Sequence, residues 1–484
     1  MRHGYVVAVV GLSLAAARAD EVTHWNGVLL QEFRTDFGQG CPCPLGRAGA
    51  MVQGAVYDAV NSIERTHQPY LGFVGAPHTA NEEAAVAAAA HATMLSLFHN
   101  SQAVLDAEYA ARLALVVDGP EKEAGIAAGE GAAAAMIAAR ADDGSGVTLN
   151  YEFGVNPGDY IPTPPEFNPI CNPEWSRVTP FCMDRGDQYR TRGPLGFRSM
   201  SDLMHSHAYA LQLNEVKGLG ALNSATRTEE QTRIAFFWAN DVNGTYKPPG
   251  HLFVLAQVLS ESHHLTLAQN ARLFALVGLA MGDAGLVSWD MKYATDIDLW
   301  RPVTAIRAAD VDGNPETVAD PSWWPLNPFT PPFPSYTSGH ATFAAAACSA
   351  MAGFFGTDEM TFALDSEDPF YNALPVHGPR TFHRLSDAAL EDALSRVYLG
   401  VHFRMDAVDG NKSGAALGKS VVQNFLLPLC PADFDRDGRV TILDVVAFLN
   451  AFVARDPSAD VNHDAALNIL DVVYFLNAFG RGCP

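Results

Sequence analysis

The chain has 484 residues and a formal net charge of −23 at pH 7, long enough for a large core and for two or three domains. So acidic a balance argues against nucleic acid as a partner and favours solubility. Arg2 and His3 precede an apolar run from Tyr5 to Ala17, and Ala17-Arg18-Ala19 offers small residues for cleavage. That is the layout of a secretory signal peptide over residues 1–19, cut before Asp20. The run is shorter than the roughly 18–20 apolar residues a span needs. No later segment reads as a membrane span, since Leu273 to Gly282 is stopped by Asp283. The expected product is an exported protein, secreted or held at the cell surface. Seven cysteines in such a chain permit disulfides. Cys430 and Cys483 bracket the last module and are expected to pair. Cys171 and Cys182 flank a Pro-rich loop and could pair, as could Cys41 and Cys43 with other partners, while Cys348 is expected to be a buried free thiol.

Apolar residues at three- and four-residue spacing predict helices over 46–63, 82–98, 101–117, 121–141, 228–240, 251–259, 265–288, 339–355, 386–400 and 412–425. Strand-like alternation is nearly absent, so the fold class is all-α. Ala- and Gly-rich stretches such as Ala124-Gly125-Ile126-Ala127-Ala128-Gly129 let helix axes approach closely. Residues 143–200 and 308–337 are dense in Pro, Gly, Asn and Asp and read as long loops, which in a compact domain are usually functional. The scattered His263, His264, His377 and His383 read as surface or structural residues.

Three segments carry chemistry. Trp289-Asp290-Met291-Lys292-Tyr293 is followed by Trp300-Arg301-Pro302. The second loop delivers Pro334-Ser335-Tyr336-Thr337-Ser338-Gly339-His340 to the start of a helix, where amides and the dipole favour an anion. Last comes Ser395-Arg396-Val397-Tyr398-Leu399-Gly400-Val401-His402-Phe403-Arg404-Met405-Asp406. Two histidines, arginines, a serine hydroxyl and an unhindered glycine amide are what a site needs to grip a tetrahedral oxyanion. If 395–402 is helical, Arg396 and His402 fall within about 120° of one face.

These residues resemble the signature of the vanadium-dependent haloperoxidase and type 2 phosphatidic acid phosphatase superfamily: Lys-x6-Arg-Pro, Pro-Ser-Gly-His and Ser-Arg-x3-Gly-x-His-x3-Asp. The third part matches at Ser395, Arg396, Gly400, His402 and Asp406. The second matches at Ser338-Gly339-His340, with Thr337 in the place of Pro. In the first part, Lys292 and Arg301 are eight residues apart rather than six. On an unbroken helix nine positions advance about 900°, placing the two cations on opposite faces. Either the helix ends near Thr295-Asp296 and the extra pair loops out, or Lys292 is not a ligand. Trp25-Asn26, Met51 to Asn61 and Thr226 to Thr232 look like the bacterial haloperoxidase-like branch, so the resemblance covers residues 22–428.

The resemblance implies a helical-bundle enzyme with vanadate as cofactor. His402 would bond vanadium, and Arg301, Arg396, Ser338, the Gly339 amide and Lys292 would neutralise its oxygens. His340 would serve as acid–base, and Asp406 would orient a site group. Trp289 and Phe333 match positions near the halide. The reaction would be oxidation of halide by hydrogen peroxide to hypohalous acid. Phosphate asks for the same donors, so an acid phosphatase acting on a phosphate ester, with His402 as nucleophile, is the nearest alternative. A non-catalytic surface docking protein is a second, and a calcium-dependent secreted hydrolase acting on polysaccharide, suggested only by the tail described next, is a third.

A boundary falls near Leu427-Pro428-Leu429-Cys430, dividing a catalytic domain of residues 20–428 from a module of residues 430–484. Beyond it a loop and helix recur, Asp433 to Asp460 giving the 27-residue offset. Asp433, Asp435, Asp437, Arg439, Thr441 and Asp444 in the first copy, and Asp460, Asn462, Asp464, Ala466, Asn468 and Asp471 in the second, have the spacing of EF-hand calcium ligands. Ala465 stands where the second loop wants its turn glycine. The duplicated form resembles a type I dockerin, which implies calcium and a cohesin-like or cell-surface partner.

Overall fold

The computed structural model describes residues 20–35, 41–435, 439–462 and 466–482. The signal-peptide reading and the tail residues Asp437, Asp464, Ala465 and Cys483 lie outside them. In chain order the helices are α1 (Glu21–Thr35), α2 (Pro42–Glu64), α3 (Glu82–Leu95), α4 (Gln102–Leu113), α5 (Pro120–Arg140), α6 (Met200–Met204), α7 (His207–Leu219), α8 (Glu229–Phe237), α9 (Lys247–His263), α10 (Leu267–Tyr293), α11 (Pro302–Arg307) and α12 (Gly339–Phe355). They continue with α13 (Pro369–Asn372), α14 (Leu385–Tyr398), α15 (Arg404–Asn424), α16 (Ile442–Val453) and α17 (Ile469–Arg481).

Each expected helix is present, shifted by a few residues at its ends; that of 412–425 begins eight positions earlier, at Arg404. The sequence reading missed α1, α6, α7, α11 and α13. It also missed an antiparallel hairpin, β1 (Glu359–Leu364) with β2 (Arg380–Arg384). Met360, Phe362 and Leu364 are its buried alternate positions, a period of two too short to stand out. Asp20 starts the fold by capping α1, its carboxylate accepting from the Thr23 amide at 2.9 Å.

The centre of the bundle is α10. Thr266 and Gln269 close its N-terminus with reciprocal hydrogen bonds, and nearly every later residue is buried. Contrary to the sequence reading, this helix is long and apolar enough to cross a membrane, but 94% of its most apolar window is covered by protein, which makes it a core helix. Helices α2 and α12 flank it, and α15 packs on α12 through Gly410, Gly414 and Gly418. A Cβ at Gly414 would lie 2.2 Å from the Thr342 carbonyl oxygen, and one at Gly418 2.1 Å from that of Ala346. The stripe therefore presses backbone on backbone and fixes the start of α12 beside the start of α15.

Among the described residues, the buried apolar side chains fall into two clusters. The small one belongs to the tail, where Phe448 and Phe475, equivalent residues of the two repeats, stack at 4.2 Å. Cys41 bonds to Cys171 across 130 residues, and Cys182 is free, so the suggested Cys171–Cys182 pair is not formed. Cys348 is buried and free. Cys430 is disulfide-bonded.

Candidate active site

The three sequence segments meet at one end of the bundle. Helix α10 stops at Tyr293, so Lys292 is its penultimate residue and the additional pair of residues lies in the connection to α11. That connection is stitched to both long loops: the Trp300 amide donates to the Gly158 carbonyl at 2.7 Å, and the Ser335 amide to that of Leu299 at 2.8 Å. Arg301 sits at the N-cap of α11 with Pro302 in its first turn, where a fixed φ suits a helix start. Ser338 caps α12, and its own amide donates to the Asp406 carbonyl at 3.1 Å.

The third segment is not helical throughout. Helix α14 ends at Tyr398, and Gly400 reverses the chain with φ of 79°, a conformation that favours glycine. The reversal returns the Val401 and His402 amides to the Arg396 carbonyl, at 3.1 and 3.3 Å. Arg396 and His402 are thus neighbours by a turn rather than by a shared helix face. Ser395 is spent locally, its hydroxyl donating to the Asp392 carbonyl.

His402 is buried and held at both nitrogens. Nδ1 faces Asp406 Oδ2 at 3.0 Å. The same oxygen accepts from the Ser335 hydroxyl at 2.5 Å and the Phe403 amide at 3.1 Å. A carboxylate at Nδ1 makes that nitrogen the proton carrier and leaves Nε2 with its lone pair. Arg301 Nη1 donates to Nε2 at 3.0 Å. Burial, and then Arg301, Lys292 and Arg396, push the imidazolium form well down, so the ring is neutral. Burial raises Asp406 to about 6, against the pull of Ser335 and Lys292.

Arg301 spends Nε on the Phe333 carbonyl at 2.7 Å and Nη1 also on that of Val401 at 2.8 Å. Arg396 spends only Nη2, on Asp241 Oδ2 at 2.8 Å. Arg301 Nη2, Arg396 Nε and Arg396 Nη1 are buried without partners. His340 Nε2 lies 3.2 Å from the Ala239 carbonyl and 3.8 Å from Asp241 Oδ1. Burial and Arg396 bring His340 down to about 4. Burial raises Asp241, but Arg396 and His340 outweigh it and hold that carboxyl below its usual range. Sequence reasoning missed Asp241. It lies just beyond the end of α8, in a loop with no pattern of its own.

Gly339, His340, Arg396, His402, Asp241 and Phe333 line a cavity of about 110 Å³ whose wall also includes Cys41 and Cys171. Trp289 and Phe333 pack at 4.8 Å between ring centres. The Trp289 indole donates to the Cys171 carbonyl at 3.2 Å. Lys292 is placed differently from the arginines: its Nζ donates to the carbonyls of Pro334 at 2.7 Å, of Ser335 at 3.1 Å and of Thr337.

In the tail, the carboxylates of Asp433, Asp435 and Asp444 approach within 4.8 Å of one another. Asp444 Oδ2 accepts from the Thr441 amide at 2.8 Å, and in the second repeat Asp471 Oδ2 accepts from the Asn468 amide at 2.8 Å. The last acidic position of each loop therefore also caps the helix that follows.

Comparison with known proteins places the fold among proteins of one kind. The profile of the VCPO second helical-bundle domain matches residues 272–427. The vanadium chloroperoxidase of Curvularia inaequalis is 26% identical, over 80% of this chain and 79% of that one. The crystal structure of a bacterial vanadium-dependent iodoperoxidase superposes with a TM-score of 0.70 at 25% identity, covering 84% of this chain and 95% of its own. A holo-type bacterial vanadium-dependent chloroperoxidase gives 0.63 at 18% identity, over 82% and 96%. By fold and by sequence, the large helical part of this chain is similar to the vanadium haloperoxidases.

Proposed function

We propose that the protein is an exported vanadate-dependent haloperoxidase, oxidising halide with hydrogen peroxide to hypohalous acid, with a C-terminal module that binds calcium and docks on a partner. The observation that carries the enzymatic reading is the set of unspent donors. Arg301 Nη2 and Arg396 Nε and Nη1 are buried without partners beside His402 Nε2, whose lone pair meets only Arg301 Nη1. Buried charged donors are costly unless something completes them, and planar guanidinium forks suit an oxyanion. Vanadate fits this donor set. Arg301, Arg396, the Ser338 hydroxyl, the Gly339 amide and His402 Nε2 would hold it, and when bound it supplies a Lewis acid of constant oxidation state that polarises peroxide.

The chain's own work is orientation and proton handling. Asp406 keeps the His402 proton on Nδ1, so that Nε2 stays available. Asp241 aims Arg396 and faces His340. The Ala239 carbonyl takes the Nε2–H of His340, which leaves Nδ1 as the base that receives a peroxide proton. Phe333, backed by the Trp289 ring, makes one wall of the cavity apolar.

The tail reading rests on the clustered carboxylates of the first loop and on apolar side chains left outside its small core. Ile442 and Ile469, equivalent in the two repeats, are each 67% exposed. A cohesin-like or cell-surface partner would cover them. Export is supported by the apolar leader and by a disulfide between Cys41 and Cys171.

The deciding experiment reconstitutes the purified protein with vanadate and assays bromide oxidation beside phosphate-ester hydrolysis. Vanadate-dependent halide oxidation is expected. Ester hydrolysis through phosphorylated His402, with no halide oxidation, would replace this reading with the acid phosphatase.

A further inference from the structure

Lys292 stands where the family signature puts an oxyanion ligand, and its surroundings give it other work. An ammonium has three protons, and three carbonyl oxygens receive them: those of Pro334, Ser335 and Thr337. The side chain is fully buried, with Nζ 4.9 Å from the Phe333 ring and 5.6 Å from that of Trp289. Arg301 and Arg396 each keep unspent buried donors; Lys292 keeps none. The eight-residue spacing to Arg301 has the matching consequence. Helix α10 ends at Tyr293, and its last turn delivers the ammonium beneath the 334–337 segment.

Those three carbonyls flank two groups the site depends on. Ser335 donates its hydroxyl to Asp406, the carboxylate that orients His402. Thr337 immediately precedes Ser338 and Gly339, the N-terminus of α12. We infer that Lys292 is a positioning residue: it clamps the backbone of residues 334–337, holding Ser335 against Asp406 and Ser338-Gly339 at the cavity, and does not itself bind the oxyanion. Burial and the neighbouring Arg301 press against its charge, whereas three carbonyl dipoles aimed at one ammonium favour it.

The inference rests on the oxyanion reading of the site, and inorganic phosphate is the probe. In the unmodified protein, reductive methylation of lysines read by mass spectrometry should find Lys292 slow to react and indifferent to saturating phosphate. Protection of more than tenfold by phosphate would make it a ligand and overturn the inference. In Lys292→Gln, the phosphate Kd of the vanadate-free protein should stay within about fivefold of wild type. In the same variant kcat for bromide at saturating vanadate should fall at least about tenfold, because small misplacements of reacting groups cost that much or more. A rise in Kd of a hundredfold, or an unchanged kcat, would each overturn it. Arg396→Met is the control for the underlying reading. If it binds phosphate like wild type, the oxyanion cradle itself is misassigned, whatever Lys292 does.

Discussion

Arg396 is gripped by Asp241 at one nitrogen only, Nη2 to Oδ2 at 2.8 Å, while its Nε and Nη1 are bare in a fully buried setting. One acid thus aims an arginine without using it up. Charge-assisted bonds of this kind are directional and strong. Replacing Arg396 by Met should raise the Kd for inorganic phosphate or vanadate by a hundredfold or more. Asp241→Asn should behave oppositely, because the remaining site becomes more positive. Its oxyanion affinity should hold or improve while bromide turnover drops about 10- to 100-fold through a misdirected Arg396. Calorimetric titration and steady-state kinetics on the two variants check this, and an affinity loss in Asp241→Asn would contradict it.

His402 and His340 should separate in the same assays. His402→Ala removes the nitrogen proposed to bond vanadium, so vanadate binding and bromination should fall together. His340→Ala leaves the cations in place and removes the proton carrier. Vanadate affinity should be kept and turnover should fall about 10²–10⁴-fold. Wild-type vanadate affinity in His402→Ala would sink the first assignment, and full turnover in His340→Ala the second.

His340 contributes a pH dependence of its own to stability. Its folded value of about 4 lies below the ordinary 6.5, so the unfolded chain takes up a proton where the folded one does not. The part of the stability linked to His340 is therefore lost as pH falls from about 6.5 to 4, by on the order of 1.4 kcal/mol for each pH unit between those two values. Arg396 and burial drive the effect and Asp241 opposes it. In vanadate-free His340→Gln, the loss of urea-unfolding stability between pH 6.5 and 4.5 should be smaller than in wild type. Equal losses in the two proteins would mean that His340 titrates normally.

Gly414→Val tests the packing that sets α12 beside α15. Its Cβ would fall 2.2 Å from the Thr342 oxygen, and both elements are backbone with nowhere to give. The expected destabilisation is about 1–3 kcal/mol or more, seen as a lower melting temperature. Turnover should suffer as well, because Ser338 and Asp406 lie at the adjoining helix starts. A fully stable variant would show that the helices can part at no cost.

Calcium should protect the tail. Three neighbouring carboxylates repel one another without a cation, so the proposed metal binding would be coupled to local folding. In the full-length protein, calcium should slow proteolysis within residues 430–484. Asp437→Ala should abolish most of that protection and Asp464→Ala less, since Ala465 already compromises the second loop. Haloperoxidase activity should not change. Proteolysis indifferent to chelator would dismiss the calcium reading.

Much of this is legible in the chain. The sequence places helix α12 to the residue, because its cap and its apolar face coincide at Ser338 and Gly339. Arg301, Arg396, His402 and Asp406 stand out without any geometry, since ligand types at fixed spacing survive as a pattern. Asp241 does not, because a lone acid past a helix end has no period, and its partner Arg396 lies 155 residues away. The helical reading of 395–402 fails at Gly400, whose positive φ comes with the close backbone of Gly220. Lys292 is visible as an oddity of spacing, but three carbonyl acceptors cannot be seen in side-chain letters. Helices α6, α11 and α13 are short and α7 is weakly amphipathic, so they take their order from packing; α1 does carry an apolar stripe, Val22, Trp25, Leu29 and Phe33, which the sequence reading passed over.

The cysteines carry one more consequence. Hypohalous acid attacks sulfur before most other groups, and it attacks thiolates fastest. Here the sulfurs bordering the cavity, those of Cys41 and Cys171, are already joined to each other. Burial pushes the thiols of Cys43, Cys182 and Cys348 well up, so each stays protonated in neutral water. Among the described cysteines the catalyst presents its own oxidant with no thiolate, which removes the fastest of the sulfur targets that would shorten its working life.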